Sequence, residues 1–304
     1  MANHEPVLLH EVLERLQPGP GGIFLDCTLG RGGHALALLE RVGAGGFVLA
    51  LDRDPEAVAV GRRLAEHHPG LAVRGGTFSR LGAVAGELGL TGRVDGVLFD
   101  LGVSSPQLEA AERGFSFSRP GPLDMRMDPT QGSTAADWLN SAPQAEIAWV
   151  LREYGEEPEA KRIAAAIVRS RPLFTTADLG EAVRVALPRR PREHHPATLT
   201  FQAIRIFLNR ELEEIEAALP QALEVLRPGG RLAVISFHSL EDRRVKRFMR
   251  DEARGDPYPR ELPVTQDQLR PRLRVVGGPV RAGAEEVGRN PRARSAVLRV
   301  AEKL

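Results

Sequence analysis

A glycine turn between an apolar run and an amphipathic segment constrains the fold of this chain more than any other feature. Residues 22–28 (GIFLDCT) form a short apolar run that includes an acid, and residues 30–35 (GRGGHA) match the pattern G-x-G-x-x-A. Residues 34–42 then show helical apolar spacing. Glycines here permit a tight turn and close approach of a ligand, and the start of the helix offers free N–H groups. The pattern predicts a strand, a ligand-binding turn and a helix.

The alternation of strand and helix continues through the first hundred residues. Further strands are predicted at 47–51, 71–73 and 94–101, with helices at 55–67 and 79–88 between them. Such alternation predicts a doubly wound α/β fold, in which helices cover both faces of a parallel sheet. Right-handed crossovers bring the carboxyl ends of the strands to one edge.

The alternation stops near Ser105 and resumes about ninety residues later. Helices alone are predicted in between, and after them come a long helix with a candidate break at Pro220, a turn at 227–230, a strand, a helix and a last strand. The interrupting helices are predicted at 135–151, 158–169 and 176–186, and the later elements at 199–226, 231–237, 240–252 and 295–300. We therefore expect a sheet domain of residues 1–107 and 199–304, with an inserted helical domain of residues 108–198 that recognises the substrate.

Acidic residues follow the predicted strands and indicate the ligand. Asp52 comes about 20 residues after the turn, where an acid accepts hydrogen bonds from ribose hydroxyls. Asp26 lies just before the turn, where it suits a cationic ligand and opposes a pyrophosphate. Phe78 and Asp100 add an aromatic ring and another carboxylate to the same edge. These features favour a methyltransferase that uses S-adenosylmethionine, and an NAD-dependent dehydrogenase remains the alternative.

Composition excludes several protein classes. The formal net charge is +1 and 42% of the residues are hydrophobic, which is typical of a globular protein and not of a nucleic-acid coat. No apolar run approaches the roughly 18–20 residues that span a bilayer, and the charged N-terminal segment does not resemble a signal peptide. The single cysteine, Cys27, cannot form an internal disulfide. We expect a cytoplasmic protein.

Basic segments and aromatic residues suggest where a polyanion could bind. Residues 184–195, 243–254 and 270–281 are rich in arginine, which is consistent either with solvated faces or with a surface that contacts phosphates. Phe115 and Phe117 fit either core anchors of the inserted domain or a stacking surface for a displaced base, and we favour the core.

Motifs along the whole chain resemble one known family, the bacterial MraW/RsmH methyltransferases. The matching stretches are HEPVLL (4–9), TLGRGGH (28–34), LDRDP (51–55), DLGVSSPQ (100–107), ERGFSF (112–117), GPLDMRMDP (121–129), HPAT (195–198), TFQA (200–203), ISFHSLED (235–242) and NPRARS (290–295). One departure from the common methyltransferase turn is Thr28, which stands where a glycine is usual. We interpret Thr28 as a trait of this family.

The resemblance implies a Rossmann-like, class I methyltransferase sheet with a helical insertion after the fourth strand. It further implies methylation of the N4 amino group of a cytidine in the decoding region of 16S ribosomal RNA, with the RNA or the small ribosomal subunit as partner. The implied cofactor contacts are Gly32, Gly33, His34, Asp52, Phe78, Asp100 and Gln107. The RNA contacts that we expect are Ser104, Ser105, Arg126, His195, Arg205 and His238. Membrane association is not expected, and formation of a homodimer remains open.

The chemistry of an amino group narrows the catalytic candidates. The lone pair of a cytosine N4 amine is delocalised into the ring, so an acceptor at that amine can localise it and receive a proton. Asp100 is the best-placed acceptor, and a role in cofactor binding alone is the competing interpretation. Methylation at C5 of cytosine needs a cysteine nucleophile, whereas Cys27 is expected in the core. We expect no metal, and a target on the Watson–Crick edge must be unpaired or flipped. A rival hypothesis is a ribosome-binding module without activity.

Overall fold

The computed structural model describes residues 6–187, 195–256 and 269–304 and divides into two compact units. The first unit comprises Met1–Gly102 and Leu212–Leu304, and the second comprises Val103–Glu211. Every strand of the described sheet lies in the first unit, whereas the second unit is built from helices.

A single mostly parallel sheet organises the first unit. Its strands are β1 (Ile23–Asp26), β2 (Phe47–Asp52), β3 (Leu71–Gly75), β4 (Val94–Asp100), β5 (Leu226–Ser236), β6 (Leu273–Val275), β7 (Val280–Arg281) and β8 (Val297–Lys303). They are arranged in the order β3-β2-β1-β4-β5-β8-β6, with β7 also paired to β8. Neighbours among β1 to β5 pair in parallel, and β8 runs antiparallel to its three partners. The predicted doubly wound α/β sheet is confirmed.

Helices connect the strands and form the second unit. They are α1 (Leu9–Leu16), α2 (Gly33–Val42), α3 (Pro55–His67), α4 (Leu81–Glu87), α5 (Ser105–Glu109), α6 (Ala135–Ser141), α7 (Gln144–Gly155), α8 (Ala160–Arg169), α9 (Thr176–Ala186), α10 (Thr198–Asn209), α11 (Glu211–Val225), α12 (Ser239–Arg254) and α13 (Ala284–Arg289). Local sequence explains where α3 begins. Asp54 caps α3 by accepting the Glu56 N–H, and Pro55 occupies its first turn.

Two predicted long helices are each divided. The helix expected at 135–151 is wrong as a single element, because Ala142 precedes Pro143 and is extended (ψ 142°), so α6 ends and α7 begins there. The helix expected at 199–226 breaks at Arg210, which has a left-handed φ of 51°, and not at Pro220, which lies inside α11.

The turn predicted at 227–230 (RPGG) is contained within a strand. Val94 of β4 pairs with Leu226, whereas Gly96 pairs with Arg231, so the four residues between them bulge out of the ladder. Their glycines permit this bulge, and Gly229 has a φ of 78°. The strand therefore begins earlier than the sequence predicted, at Leu226.

Each unit has its own apolar core. In the first, Phe24 and Leu98 are buried within the sheet, and Cys27, the residue after β1, is also buried. In the second, Phe115 is buried and Phe201 of α10 packs in the same cluster. Thus α10, which the expected boundary at residue 199 assigned to the sheet domain, contributes to the core of the helical unit. Within residues 6–187, 195–256 and 269–304, no helix is both long and apolar enough to cross a membrane.

Close packing makes Gly61 of α3 sensitive to substitution. A Cβ atom there would lie 2.3 Å from Leu29 Cδ2 and 3.1 Å from both Val73 methyl groups. Alanine gains up to about 1 kcal/mol of helix propensity, but overpacking costs about 1–3 kcal/mol. We expect Gly61→Ala to lower the free energy of unfolding, seen as a lower thermal midpoint.

The matched control is Gly86→Ala in α4, where the nearest atom to an added Cβ is Thr91 Oγ1 at 3.9 Å. Only the gain in helix propensity operates there, so this variant should be about 0.5–1 kcal/mol more stable. Thermal unfolding followed by circular dichroism compares the two. Equal stabilisation of both variants would contradict close packing at Gly61.

Candidate functional site

Three carboxylates meet at the carboxyl edge of the sheet. Asp26 ends β1, Asp52 ends β2 and Asp100 ends β4, and these strands are neighbours in the order β2-β1-β4. Crossover connections that run in one direction place all three acids at the same edge. The adjacency that the sequence predicted for Asp26, Asp52 and Asp100 is present in the structure.

The glycine turn is positioned by Asp52. The Gly30 N–H donates to Asp52 Oδ2 at 2.8 Å, and the Asp54 N–H donates to Asp52 Oδ1 at 2.9 Å. Gly30 and Gly32 have left-handed φ values of 53° and 81°, which glycine adopts without strain. Asp52 therefore orders the turn and still has lone pairs free to accept further hydrogen bonds.

Gly33 is required for packing against the N-terminal segment. A Cβ atom at Gly33 would lie 2.3 Å from Pro6 Cγ, which no side chain can tolerate without movement. The sequence assigned Gly33 to cofactor binding through close ligand approach. The structure supplies a second reason for glycine at this position, because Pro6 lies directly against it.

Thr28 joins two strands at the site. Its hydroxyl oxygen accepts the Asp100 N–H at 2.7 Å, and its own N–H donates to Asp26 Oδ1 at 3.1 Å. Sequence reasoning did not assign Thr28 a role, although its departure from the usual glycine was a signal. The threonine holds the ends of β1 and β4 in register through these two acids.

Burial raises the pKa of each of the three carboxyl groups. Desolvation is the largest cause in every case, and it raises the pKa of Asp26 to about 7, of Asp52 to about 6 and of Asp100 to about 8. The charges of neighbouring acids add to this, Asp52 acting on Asp26, and Asp26 and Glu241 acting on Asp100. The cluster therefore binds protons near neutral pH when no cation is beside it.

His34 lies between the N-terminal segment and Asp100. Its Nε2 is 3.1 Å from the Val7 carbonyl oxygen and its Nδ1 is 3.7 Å from Asp100 Oδ2. Burial lowers the pKa of His34 to about 4, so the ring is neutral. Because a carbonyl can only accept, Nε2 carries the proton and Nδ1 presents a lone pair to Asp100. This arrangement suits the protonated form of Asp100.

Unpaired polar atoms at this edge fit a ligand with hydrogen-bond donors. Asp100 Oδ1 and Ser236 Oγ are buried and have no hydrogen-bond partner within the described part of the chain. Such atoms are costly unless something pairs with them. A cationic ligand with amino and hydroxyl donors, such as S-adenosylmethionine, meets this requirement.

Phe78 provides an aromatic surface beyond β3. It begins a short 3₁₀ turn, Phe78–Arg80, and its ring packs edge-on against Phe99 with centroids 5.5 Å apart. Phe78 is half-buried while Phe99 is fully buried. The ring is thus held from one side, and its place beside an adenine stays a prediction.

A histidine and a buried glutamate follow β5. His238 precedes α12 and is 10% exposed, with Nε2 3.2 Å from Glu241 Oε1. Glu241 is fully buried, and its Oε2 accepts the Phe237 N–H at 2.7 Å. The sequence predicted His238 and missed Glu241, whose spacing within the first helical turn was the available signal. Glu241 Oε2 also accepts the His238 N–H at 3.3 Å, so Glu241 fixes the backbone that carries His238 and places a carboxylate oxygen beside its ring.

The remaining predicted residues lie in the second unit, where most have structural partners. Gln107 is buried, and its Oε1 accepts the Ser104 N–H at 2.8 Å, which caps the helix that starts at Ser105. Arg126 forms a two-pronged pair with Asp124, at 2.8 Å from each carboxylate oxygen. These contacts hold local loops together and limit what the same groups can offer to RNA.

Arg205 and His195 differ in how accessible they are. Arg205 pairs with Glu211 through two hydrogen bonds of 2.8 Å, and both side chains are largely buried. His195 is exposed and stacks on Phe117, with ring centroids 4.1 Å apart and planes 11° apart. Of these two predicted RNA contacts, His195 has the more exposed side chain.

Comparison with known proteins adds a family to this geometry. A family model described as the MraW methylase family matches residues 1–304. An rRNA methylase from Streptococcus thermophilus is 11% identical, with 100% of this chain and 99% of that chain covered and a TM-score of 0.45. A SAM-dependent O-methyltransferase from Thermotoga maritima is also 11% identical, with 100% and 68% covered and a TM-score of 0.42. Both likenesses are weak, and the family match carries the assignment.

The raised carboxyl pKa values predict how cofactor binding depends on pH. A cation at the cluster favours the ionised acids, so binding of S-adenosylmethionine should release protons from Asp100 and Asp26. The affinity should therefore rise as pH increases from about 6 to about 8, by up to tenfold per pH unit for each proton, and level off above. Calorimetry in buffers of different ionisation enthalpy measures both effects.

S-adenosylhomocysteine is the matched control for this titration, because it lacks the sulfonium charge. It should show a weaker dependence on pH than S-adenosylmethionine does. An affinity for S-adenosylmethionine that is constant or falls between pH 6 and 8 would contradict proton release from the acid cluster.

Proposed function

Because the chain belongs to the MraW methylase family, and is therefore an S-adenosylmethionine-dependent methyltransferase, we propose that it methylates ribosomal RNA. The specific target that we propose is the N4 amino group of a cytidine in the decoding region of 16S ribosomal RNA. The single observation that carries the amino-group proposal is Asp100 at the edge of the sheet, a partly exposed carboxylate whose Oδ1 is buried and has no hydrogen-bond partner within the described residues.

The acid cluster favours S-adenosylmethionine rather than a dinucleotide as the cofactor. S-adenosylmethionine supplies a methyl group on a positively charged sulfur, and Asp26, Asp52 and Asp100 together with Phe78 would hold it. A pyrophosphate would instead meet carboxylates at the same edge and would be repelled. The dehydrogenase alternative is therefore disfavoured on charge.

Asp100 is proposed to act at the amine as well. Its carboxylate accepts a hydrogen bond from the N4 amino group, which localises the nitrogen lone pair, and then receives the proton that the methylated nitrogen loses. Efficient proton transfer needs an acceptor whose pKa lies near the working pH, and burial raises the pKa of Asp100 to about 8. The neutral His34 beside it can stabilise the protonated acid.

The position of the single cysteine supports a nitrogen target over a ring carbon. Cys27 is buried next to β1, and burial together with the charge of Asp26 raises its thiol pKa well above the ordinary value. A thiolate nucleophile is therefore disfavoured at this position. Methylation at cytosine C5, which needs such a nucleophile, is correspondingly disfavoured.

The RNA-binding surface is proposed to include α12. Arg243, Lys246, Arg247 and Arg250 of this helix are exposed. Arg247 and Arg250 also contact Asp251, and Arg272 and Arg274 of the 270–281 segment pair with Glu252 and Glu302. Residues 188–194 of the remaining basic segment, 184–195, lie outside the described residues. Binding through α12 should weaken steeply with salt, as phosphate contacts do.

The proposed function is tested by mapping modified nucleotides. Small ribosomal subunits that lack the modification are incubated with the protein and S-adenosylmethionine. Their RNA is then digested with a nuclease, and the masses of the fragments are measured by mass spectrometry. We expect one methyl group on the exocyclic nitrogen of one cytidine in the decoding region. Protein supplied with S-adenosylhomocysteine is the control. Methyl transfer to another base, or to carbon, would overturn the proposed target.

Asp100→Asn separates catalysis from cofactor binding. An amide keeps the shape but cannot take up the proton, so turnover at saturating cofactor should fall about 10²-fold or more. Asp52→Asn, the comparison variant, should mainly raise the KM for the cofactor. The two constants are measured by single-turnover and steady-state methyl transfer. Normal turnover of Asp100→Asn at saturation would remove its catalytic role.

A further inference from the structure

The helical unit carries an exposed tryptophan that is not among the predicted site residues. Trp149 of α7 is 43% exposed, and its ring packs edge-on against Tyr154 with centroids 5.6 Å apart. The other tryptophan of the chain, Trp138, is held by a 2.7 Å hydrogen bond to Glu146 and by packing on Phe207. The exposed indole offers a large, flat surface with an apolar face, the kind of side chain that is enriched at binding interfaces.

A groove runs beside the exposed ring. It is open to solvent and has a volume of about 440 Å³. Its lining consists of Gln144, Ala145, Ala148, Trp149 and Arg152 of α7 and Lys161 of α8. The alanines have small side chains, which leaves space along one side of the indole.

Two cations border the groove, and both can reach an anion. Lys161 is exposed in the first turn of α8, where a positive charge opposes the helix dipole and contributes nothing to helix stability. Arg152 lies 3.2 Å from Glu153, with the two side chains 59% and 49% exposed. Such a surface ion pair is weak and exchanges readily for a phosphate.

We propose that this groove binds an unpaired nucleotide of the RNA substrate. The base stacks on Trp149, and the phosphate lies against Arg152 and Lys161. An aromatic face combined with basic side chains is how proteins hold single-stranded RNA without reading its sequence. This inference rests on the proposed RNA substrate and adds a second RNA contact, to a nucleotide other than the methylated one.

The charges favour RNA over a protein partner. The two charged side chains of the lining, Arg152 and Lys161, are both positive, and Glu153, which pairs with Arg152, lies outside the lining. A second copy of this chain would present a cation to a cation across a symmetric contact, which is unfavourable. An RNA strand supplies the ring and the negative charge together.

Fluorescence of Trp149 tests the inference directly. The chain has two tryptophans, so Trp138→Phe leaves Trp149 as the sole indole. In this variant, an unstructured oligocytidine should quench the emission saturably, because a stacked base quenches an indole. The reciprocal variant Trp149→Phe, in which Trp138 reports, should show no comparable quenching.

Substitutions then assign the contacts. Trp149→Ala should weaken oligonucleotide binding about 5- to 150-fold, because the stacking of one base is lost. Lys161→Ala should weaken it several-fold, whereas Arg162→Ala, an exposed cation on the same helix outside the groove, should leave it unchanged. In methyl transfer, Trp149→Ala should raise the KM for RNA while the cofactor affinity stays constant.

The outcomes separate this inference from the proposed function. If the protein methylates its cytidine and Trp149→Ala has an unchanged KM for RNA, the groove assignment fails alone. If no ribosomal RNA is methylated although the oligonucleotide quenches Trp149, the proposed function fails and the groove remains. If RNA left the emission of Trp149 unchanged, the groove assignment would be overturned. It would also be overturned if the emission changed with protein concentration because the protein associates with itself.

Discussion

Desolvation of three carboxylates at one edge of the sheet is the constraint on which the first unit depends. Loss of hydration raises the pKa of Asp26, Asp52 and Asp100, and the charge of Asp52 adds to this at Asp26, as the charge of Asp26 does at Asp100. Backbone N–H groups of the glycine turn and of Asp54 offset part of this cost. The remainder is offset by protonation or by a bound cation, so the stability of the free protein and its affinity for the cofactor are linked.

The surrounding side chains make the edge rigid. Thr28 ties the end of β4 to the end of β1, and His34 connects Asp100 to the N-terminal segment. Glu241 fixes the backbone after β5 and raises the pKa of Asp100 through its charge. These residues need not touch a ligand, yet they decide the protonation state and the position of the group proposed to act at the amine.

In the helical unit, a basic residue in the sequence is not always a cation that is available at the surface. Arg126 and Arg205 are engaged by acids of the same unit and hold its loops and helices. Arg152 and Lys161, which belong to none of the arginine-rich segments, are the cations beside the exposed indole. A charged side chain that is already paired and partly buried gives little to a polyanion, because exchanging partners then costs desolvation.

The sequence by itself determined the sheet, the glycine turn and the acids at the strand ends, because periodicity, glycine and strand–helix alternation are local or topological signals. It also indicated the family. Pro143 was a local signal for a helix break that the prediction overlooked. Tertiary structure decided the break at Arg210, the burial of the Arg205–Glu211 pair, and the roles of Thr28 and Glu241. These depend on contacts between residues distant in the chain, or on burial that no local pattern encodes, and such contacts exist only once the chain has folded.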